Sequence, residues 1–229
     1  MLKLMHLEMR KITFGRYVIT ALAACFAVTG FLFFALYTDR NTVAATSSDF
    51  FFVVDSTRMV FIVFAGVLIS RLIIEEYNDK TISLMFMYPI SRKKIMISKL
   101  LIIICATFFF IYVSRIFVAA VLYMLNNYLN FIDEGIAILE ITEYLKNTAV
   151  YDFSFSGISL VPLFFGMLKK SVRTTIITSV IIAIFFGISN EELSELSINS
   201  FIVRSLIFTI IGVIASYLSI RNMEQKDVL

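Results

Sequence analysis

The sequence has few of the residues on which enzyme chemistry most often depends. It contains one histidine, two cysteines, two prolines and no tryptophan, and only 16% of its 229 residues are charged. A single histidine excludes metal sites that need two or more imidazoles, and it leaves little scope for acid–base catalysis by histidine. Cys25 and Cys105 each lie in an apolar run, where we expect small buried side chains and not disulfide partners.

Apolar residues, by contrast, are abundant. They make up 59% of the chain, against about 45–50% in soluble domains. A transmembrane helix needs about 20 predominantly apolar residues, and the first apolar run is longer than the roughly 7–15 residues of a signal-peptide core. The sequence therefore predicts an all-α, multi-pass membrane protein of one domain, 1–229, with six spans at 17–37, 58–74, 100–125, 150–168, 173–189 and 201–220.

Lysine and arginine are distributed unequally between the two sides of these spans. One side holds both termini, the segment 75–99 and the turn 168–173, and it carries most of the basic residues. The positive-inside rule places this basic side in the cytoplasm, so we expect a plasma-membrane protein with both termini cytoplasmic. The opposite side carries Arg40, Arg58, Lys146 and Arg204.

Two segments outside the spans have the pattern of amphipathic helices. Residues 1–16 place apolar and basic side chains on different faces, which is typical of a helix lying in the membrane surface. The acidic loop 126–152 contains the stretch GIAILEITEYLK, for which we expect a short amphipathic helix on the outer side.

The segment 75–99, between the second and third spans, is more apolar than a simple loop requires. Its apolar cluster is predicted to form a short helix that Pro89 ends, because proline disfavours helical geometry in the residue before it. Ser91 is then placed to cap the third span. The short helix either lies on the lipid surface or docks into a groove of a cytoplasmic partner. The cluster consists of Ile82, Leu84, Met85, Phe86, Met87 and Tyr88.

This arrangement resembles the permease subunits of ABC-2 type exporters. In that family a cytoplasmic coupling helix follows the second span, and a Pro-x-Ser-Arg element precedes the third. Here the element is formed by residues 89–92, with Glu76 closing span two and Lys99 opening span three, and the stretch LEMRK at 7–11 is also similar. One difference is that many members carry re-entrant helices between the last two spans, whereas 190–200 is short and polar.

The resemblance implies a permease that moves cargo by alternating access, driven by separate ATPase subunits that bind ATP and Mg. It also implies a second permease, identical or related, and no nucleic-acid partner. The chain has no G-x-x-x-x-G-K-[ST] phosphate loop, so we expect no enzymatic activity and no cofactor or metal in this subunit, which also contacts membrane lipids. The implied ATPase-docking residues are Ile82, Leu84, Met85, Phe86, Met87, Tyr88, Pro89, Ser91 and Arg92.

Several polar residues within the predicted spans need an explanation. Arg115 lies about 22 Å into span three at 1.5 Å per residue. Three roles are open for this arginine: its side chain extends to the outer headgroups, it pairs with Asp55 or Asp152, or it lines the cargo path. Thr174 and Thr178 belong to a hydroxyl-rich patch in span five that either packs against another helix or lines the path.

Two further expectations concern charges near the spans. Arg71 is spaced to form an i,i+4 ion pair with Glu75 near the inner boundary of span two. We also expect no acidic residue in the middle of a span, which argues against an ion-coupled secondary transporter.

Other function classes fit less well. The stretch EEYNDK is faintly similar to an element of glutamic intramembrane proteases, but those need histidines within later spans, and His6 is the chain's sole histidine. A structural or sensor role without transport is a further alternative. An apolar interior suits an amphiphilic cargo such as a peptide antibiotic, peptide toxin or drug, as in self-protection and antibiotic resistance, with export of a lipid-linked glycan as the second candidate.

Overall fold

The computed structural model of the chain describes residues 14–39, 46–78, 92–129, 136–187, 206–207 and 209–218. These residues are helical apart from short connections, and they contain no β-strand, so the all-α prediction is confirmed for this part of the chain. The elements are α1 (Phe14–Asp39), α2 (Ser47–Ile69), a π-helical turn (Ser70–Ile74), α3 (Glu75–Asn78), α4 (Arg92–Leu129), α5 (Ile138–Ile158), α6 (Val161–Lys169), α7 (Val172–Gly187) and α8 (Thr209–Leu218).

Three stretches of the described chain are long and apolar enough to cross a membrane unaided. They are Ser47–Tyr77, Lys94–Leu129 and Ile138–Lys169. Shorter apolar helices cover Ile19–Ala35, Val172–Phe185 and Thr209–Leu218. Apolar helices thus occur at all six predicted positions, while a count of six complete crossings stays a prediction. The interfacial helix of 1–16 and the short outer segment 190–200 lie almost wholly outside the described residues.

The helix of span two begins well before residue 58, where the sequence was expected to enter the membrane. The helix starts at Ser47. Asp49 stabilises this start, because its carboxylate accepts a hydrogen bond of 2.9 Å from the backbone N–H of Thr46, as in a capping box. The helix extends beyond the predicted span because Asp55 and Arg58, which interrupt the apolar run in sequence, are accommodated in it. Both side chains are buried within the helix bundle.

The fourth predicted span is two helices joined by a break. The stretch GIAILEITEYLK is helical from Ile138, as expected, but this helix is longer than predicted and continues to Ile158 as α5. Pro162 was expected to kink the fourth span, because proline disturbs a helix interior, and the helix is interrupted there: α5 ends at Ile158, and Pro162 lies in the first turn of α6. Proline is tolerated at that position because the first N–H groups of a helix have no partner within it.

Helix α2 lies at the centre of the bundle and packs against α1, α4 and α7. Its contact with α7 depends on Gly66, since a Cβ added there would overlap the side chain of Ser179. Gly166 of α6 similarly makes room for Thr175 and Ile74. The helix approaches therefore depend on small residues, as is common in membranes.

The two cysteines differ in environment. Cys25 of α1 is buried, as expected, but Cys105 of α4 is exposed. Leu101 and Phe109 are exposed on the same face of α4, one helical turn on either side of Cys105. The expectation of a buried Cys105 was wrong because an apolar run does not reveal which of its faces meets other helices.

Candidate transport site

A cluster of five charged and polar side chains connects three helices. Arg115 of α4 donates one hydrogen bond of 2.6 Å to Asp152 and another of 2.9 Å to Asp55. Arg58 donates from Nε to Asp152 at 2.9 Å. We call this set the Arg–Asp cluster; it consists of Asp55 and Arg58 from α2, Arg115 from α4, and Tyr144 and Asp152 from α5.

Each charge in the Arg–Asp cluster is paired with charges of opposite sign. Two arginines face two aspartates, so the formal charges balance, and the Tyr144 hydroxyl donates to Asp55 at 2.7 Å. Arg115 also lies 5.5 Å from the centre of the Tyr144 ring, within cation–π range. Arg115 and Asp152 are both completely buried. Because a lone buried charge is very costly in a membrane, these residues depend on one another.

The structure answers part of the question that the sequence raised about Arg115. Of the three alternatives, it shows internal pairing, and Arg115 contacts both of the candidate aspartates. Asp55 and Asp152 lie inside the long helices that can cross the membrane, at the level of Arg115. The absence of acidic residues from the middle of the spans stays a prediction. A role for Arg115 on the cargo path stays a prediction.

Sequence reasoning missed Arg58 because it assigned this residue to the outer loop. A usable signal was present, since Asp55 and Arg58 are three residues apart and therefore share one face of a helix. The structure gives this pair a distance of 3.2 Å between Asp55 Oδ1 and Arg58 Nη2.

A second buried charge lies near the other end of α2 and α4. Lys99 of α4 is only 2% exposed and forms an ion pair with Glu76 of α3. Its ammonium also donates to the backbone carbonyl of Leu72, in the π turn, at 2.8 Å. The sequence marked Lys99 and Glu76 as ends of adjacent spans but did not predict their contact. Arg71 and Glu75 form the expected ion pair, at 2.6 Å.

Most of the predicted ATPase-docking residues lie outside the described chain: Ile82, Leu84, Met85, Phe86, Met87, Tyr88, Pro89 and Ser91. Arg92 is described as the first residue of α4. This start agrees with the helix expected to follow Ser91. The docking role of the whole set stays a prediction.

An apolar cavity of about 440 Å³, open to the outside of the helix bundle, lies where α1, α2 and α7 meet. Its lining is almost entirely aliphatic or aromatic and includes Ala21, Val28, Met59, Phe64, Ala183 and Ile184. A cavity of this size falls in the range of small-molecule sites. Its chemistry suits an apolar group and offers very little to a sugar or an ion.

The hydroxyl-rich patch of α7 contributes to helix packing. Thr175 and Ser179 are fully buried against Gly166 and Gly66. Thr174 and Thr178 are half-buried, and the Thr178 hydroxyl donates at 2.9 Å to the backbone carbonyl of Thr174. Their place on a cargo path stays a prediction.

The sequence of the chain was also compared with known proteins. The family model of the "ABC-2 family transporter protein" matches residues 4–190. YcbO, an uncharacterized protein of Bacillus subtilis strain 168, is 38% identical over 230 residues, which cover 99% of this chain and 100% of YcbO. No solved structure matches the chain. With most of its length matched by the family model, and with apolar helices at all six predicted positions, the chain belongs to the ABC-2 transporter family.

Proposed function

We propose that the chain is the permease subunit of an ATP-driven exporter that moves an amphiphilic molecule out of the cell. The family match over residues 4–190 carries this proposal. Hydrolysis takes place in a separate ATPase subunit, which binds ATP and Mg, and two permeases assemble above two ATPases. The permease lies in the plasma membrane with both termini in the cytoplasm.

The cavity between α1, α2 and α7 supports an amphiphilic cargo. Its aliphatic and aromatic lining fits the apolar part of a peptide antibiotic, a peptide toxin or a drug. A lipid-linked glycan is the second candidate, because its lipid portion would also fit an apolar lining. A free sugar would leave its hydroxyl groups without hydrogen-bond partners there, and a metal ion would find no ligands.

Coupling to an ion gradient is the main alternative, because Asp55 and Asp152 lie inside helices that can cross the membrane. Both carboxylates, however, accept hydrogen bonds from arginines. An ion would have to displace these guanidinium groups to bind, which argues against the alternative. Export that continues after ATP depletion and stops on collapse of the proton gradient would support it.

The ATPase partner provides the direct test. We expect an ATP-hydrolysing protein to copurify with the tagged chain from its native membrane, and Phe86→Asp to abolish this association, because the charge disrupts an apolar docking surface. Phe86→Leu is the matched control, since it keeps the surface apolar and should retain the partner. Loss of the partner has meaning only if the membrane abundance of both variants equals that of the wild type. An unchanged partner in Phe86→Asp would contradict the docking role.

A further inference from the structure

The ends of the two helices that flank residues 79–91 are connected by one buried side chain. Lys99, near the start of α4, reaches two groups at the end of the α2–α3 helix: the Glu76 carboxylate and the Leu72 carbonyl oxygen. The ammonium therefore links the helix before the segment to the helix after it. Because Lys99 is only 2% exposed, water does not compete for these contacts.

The helix that Lys99 contacts is irregular at this point. Ser70–Ile74 form a π turn, in which the backbone N–H of Glu75 donates to the Ser70 carbonyl five residues earlier. Such turns are rare and occur often at functional sites. The π turn and the lysine contact coincide at Leu72, so the irregular turn is anchored directly to α4.

The same short stretch contacts two other helices and the turn between them. Ile74 packs where Gly166 of α6 and Thr175 of α7 approach it. The Lys170 ammonium, in the turn from α6 to α7, lies 5.0 Å from the centre of the Tyr77 ring. A displacement of residues 70–77 would therefore be transmitted to α4, α6 and α7 at once.

Structural stability alone is a weak explanation for Lys99. Removing two charges from water is costly, and a buried ion pair is often no more stable than apolar residues of similar volume. The neighbouring pair of Arg71 and Glu75 shows the ordinary arrangement, because its arginine is half-exposed and lies on the same helix as its partner. Lys99 instead joins two helices that flank the predicted docking segment.

We propose that Lys99 is a positioning residue for energy coupling. By holding the Glu76 and Leu72 groups, it makes the two ends of segment 79–91 move together, so that a push on this segment displaces α4 along with the end of α2. The inference rests on the proposed function, because it requires an ATPase to provide the push.

The test measures movement in the complex with the copurified ATPase, reconstituted in lipid nanodiscs. Spin labels are attached to Cys105 of α4 and to Phe185→Cys of α7, both exposed positions, in a Cys25→Ala background. Their distance is measured without nucleotide and with ATP, Mg and vanadate. In the otherwise unsubstituted complex we expect a nucleotide-dependent change in this distance.

Lys99→Met should lose at least half of this distance change while the ATPase stays bound and continues to hydrolyse ATP. Glu76→Gln, a milder substitution that leaves the Leu72 contact in place, should reduce the change in the same direction. Arg71→Met is the matched control and should keep the full change. A full distance change in both Lys99→Met and Glu76→Gln would overturn the role of Lys99, whereas a complex that shows no nucleotide-dependent change before substitution would overturn the proposed function and this inference with it.

Discussion

At the scale of single residues, Asp152 is the point on which both buried arginines converge. Its Oδ1 accepts from Arg58 and its Oδ2 accepts from Arg115, and the carboxylate is completely buried. Removing its charge leaves the two guanidinium groups with Asp55 as their shared counter-ion within the cluster. Breaking a buried pair in this way costs about 3–5 kcal/mol.

We predict that Asp152→Asn lowers the free energy of unfolding by about 3 kcal/mol or more, because it leaves an uncompensated buried positive charge. Reversible unfolding by sodium dodecyl sulfate in mixed micelles measures this quantity. Glu143→Gln is the control, since it removes an exposed carboxylate from the same helix and should change the free energy by less than about 0.5 kcal/mol. Equal unfolding curves for the two variants would contradict a stabilising cluster.

Arg115→Ala distinguishes a structural role from contact with cargo. Because Arg115 pairs with both aspartates, we predict that the membrane abundance of this variant falls in parallel with its export activity. Quantitative immunoblotting of membranes beside a transport assay gives both values. Loss of export at wild-type abundance would instead assign Arg115 to the cargo path.

The two arginines of the cluster show what sequence can reveal about single residues. Arg115 was recognisable because apolar residues surround it, which makes a charge there costly. Arg58 was missed because Asp55, Ser56 and Thr57 precede it and give that stretch the composition of a loop end. The contacts that bury Arg58 come from α5, far away in sequence, so no local pattern reports them.

At the scale of helices, the close approach of α2 and α7 depends on a glycine, Gly66, which has no side chain. Gly66 of α2 faces Ser179 of α7 so closely that an added Cβ would overlap it. The hydroxyl patch of α7 thus has a clear structural use on one of its faces. Packing between small residues replaces the hydrophobic effect as a source of helix association in lipid.

We predict that Gly66→Ala lowers the free energy of unfolding by about 1–3 kcal/mol, the usual cost of overpacking. Unfolding in mixed micelles is again the measurement. Gly30→Ala is the matched control, because a Cβ there meets nothing within 4 Å and helix propensity favours alanine over glycine. The double variant Gly66→Ala, Ser179→Gly should recover stability; failure to recover would show that the cost does not arise at this contact.

Helix positions were more predictable than helix ends. Apolar runs placed helices at all six expected positions because burial in lipid requires such runs. Helices α2 and α5 begin before the predicted spans, because paired charges and polar residues continue each helix beyond its apolar run. Those charges are tolerated because they pair with distant residues. The interruption near Pro162 was predictable because proline acts on its local backbone alone.

At the scale of the whole molecule, the two buried charge sites define two levels in the bundle. Lys99 and Arg115 are 16 residues apart on α4, which is about 24 Å along a helix axis. This separation approaches the thickness of about 30 Å for the hydrocarbon core. We therefore expect each site to lie near one face of the membrane. Lysines 169 and 170 are exposed at the Lys99 end, and the positive-inside rule predicts that this basic end is the cytoplasmic one.

This topology makes a prediction that needs neither cargo nor ATPase. In a background with Cys25→Ala and Cys105→Ala, a membrane-impermeant maleimide should label Glu143→Cys in intact cells, because residue 143 lies on the exposed part of α5 beyond the Arg–Asp cluster. Lys170→Cys, in the exposed turn between α6 and α7, should be labelled only after the membrane is permeabilised. The opposite pattern would invert the protein and place the predicted docking segment outside the cell, where no ATPase driven by cytoplasmic ATP could reach it.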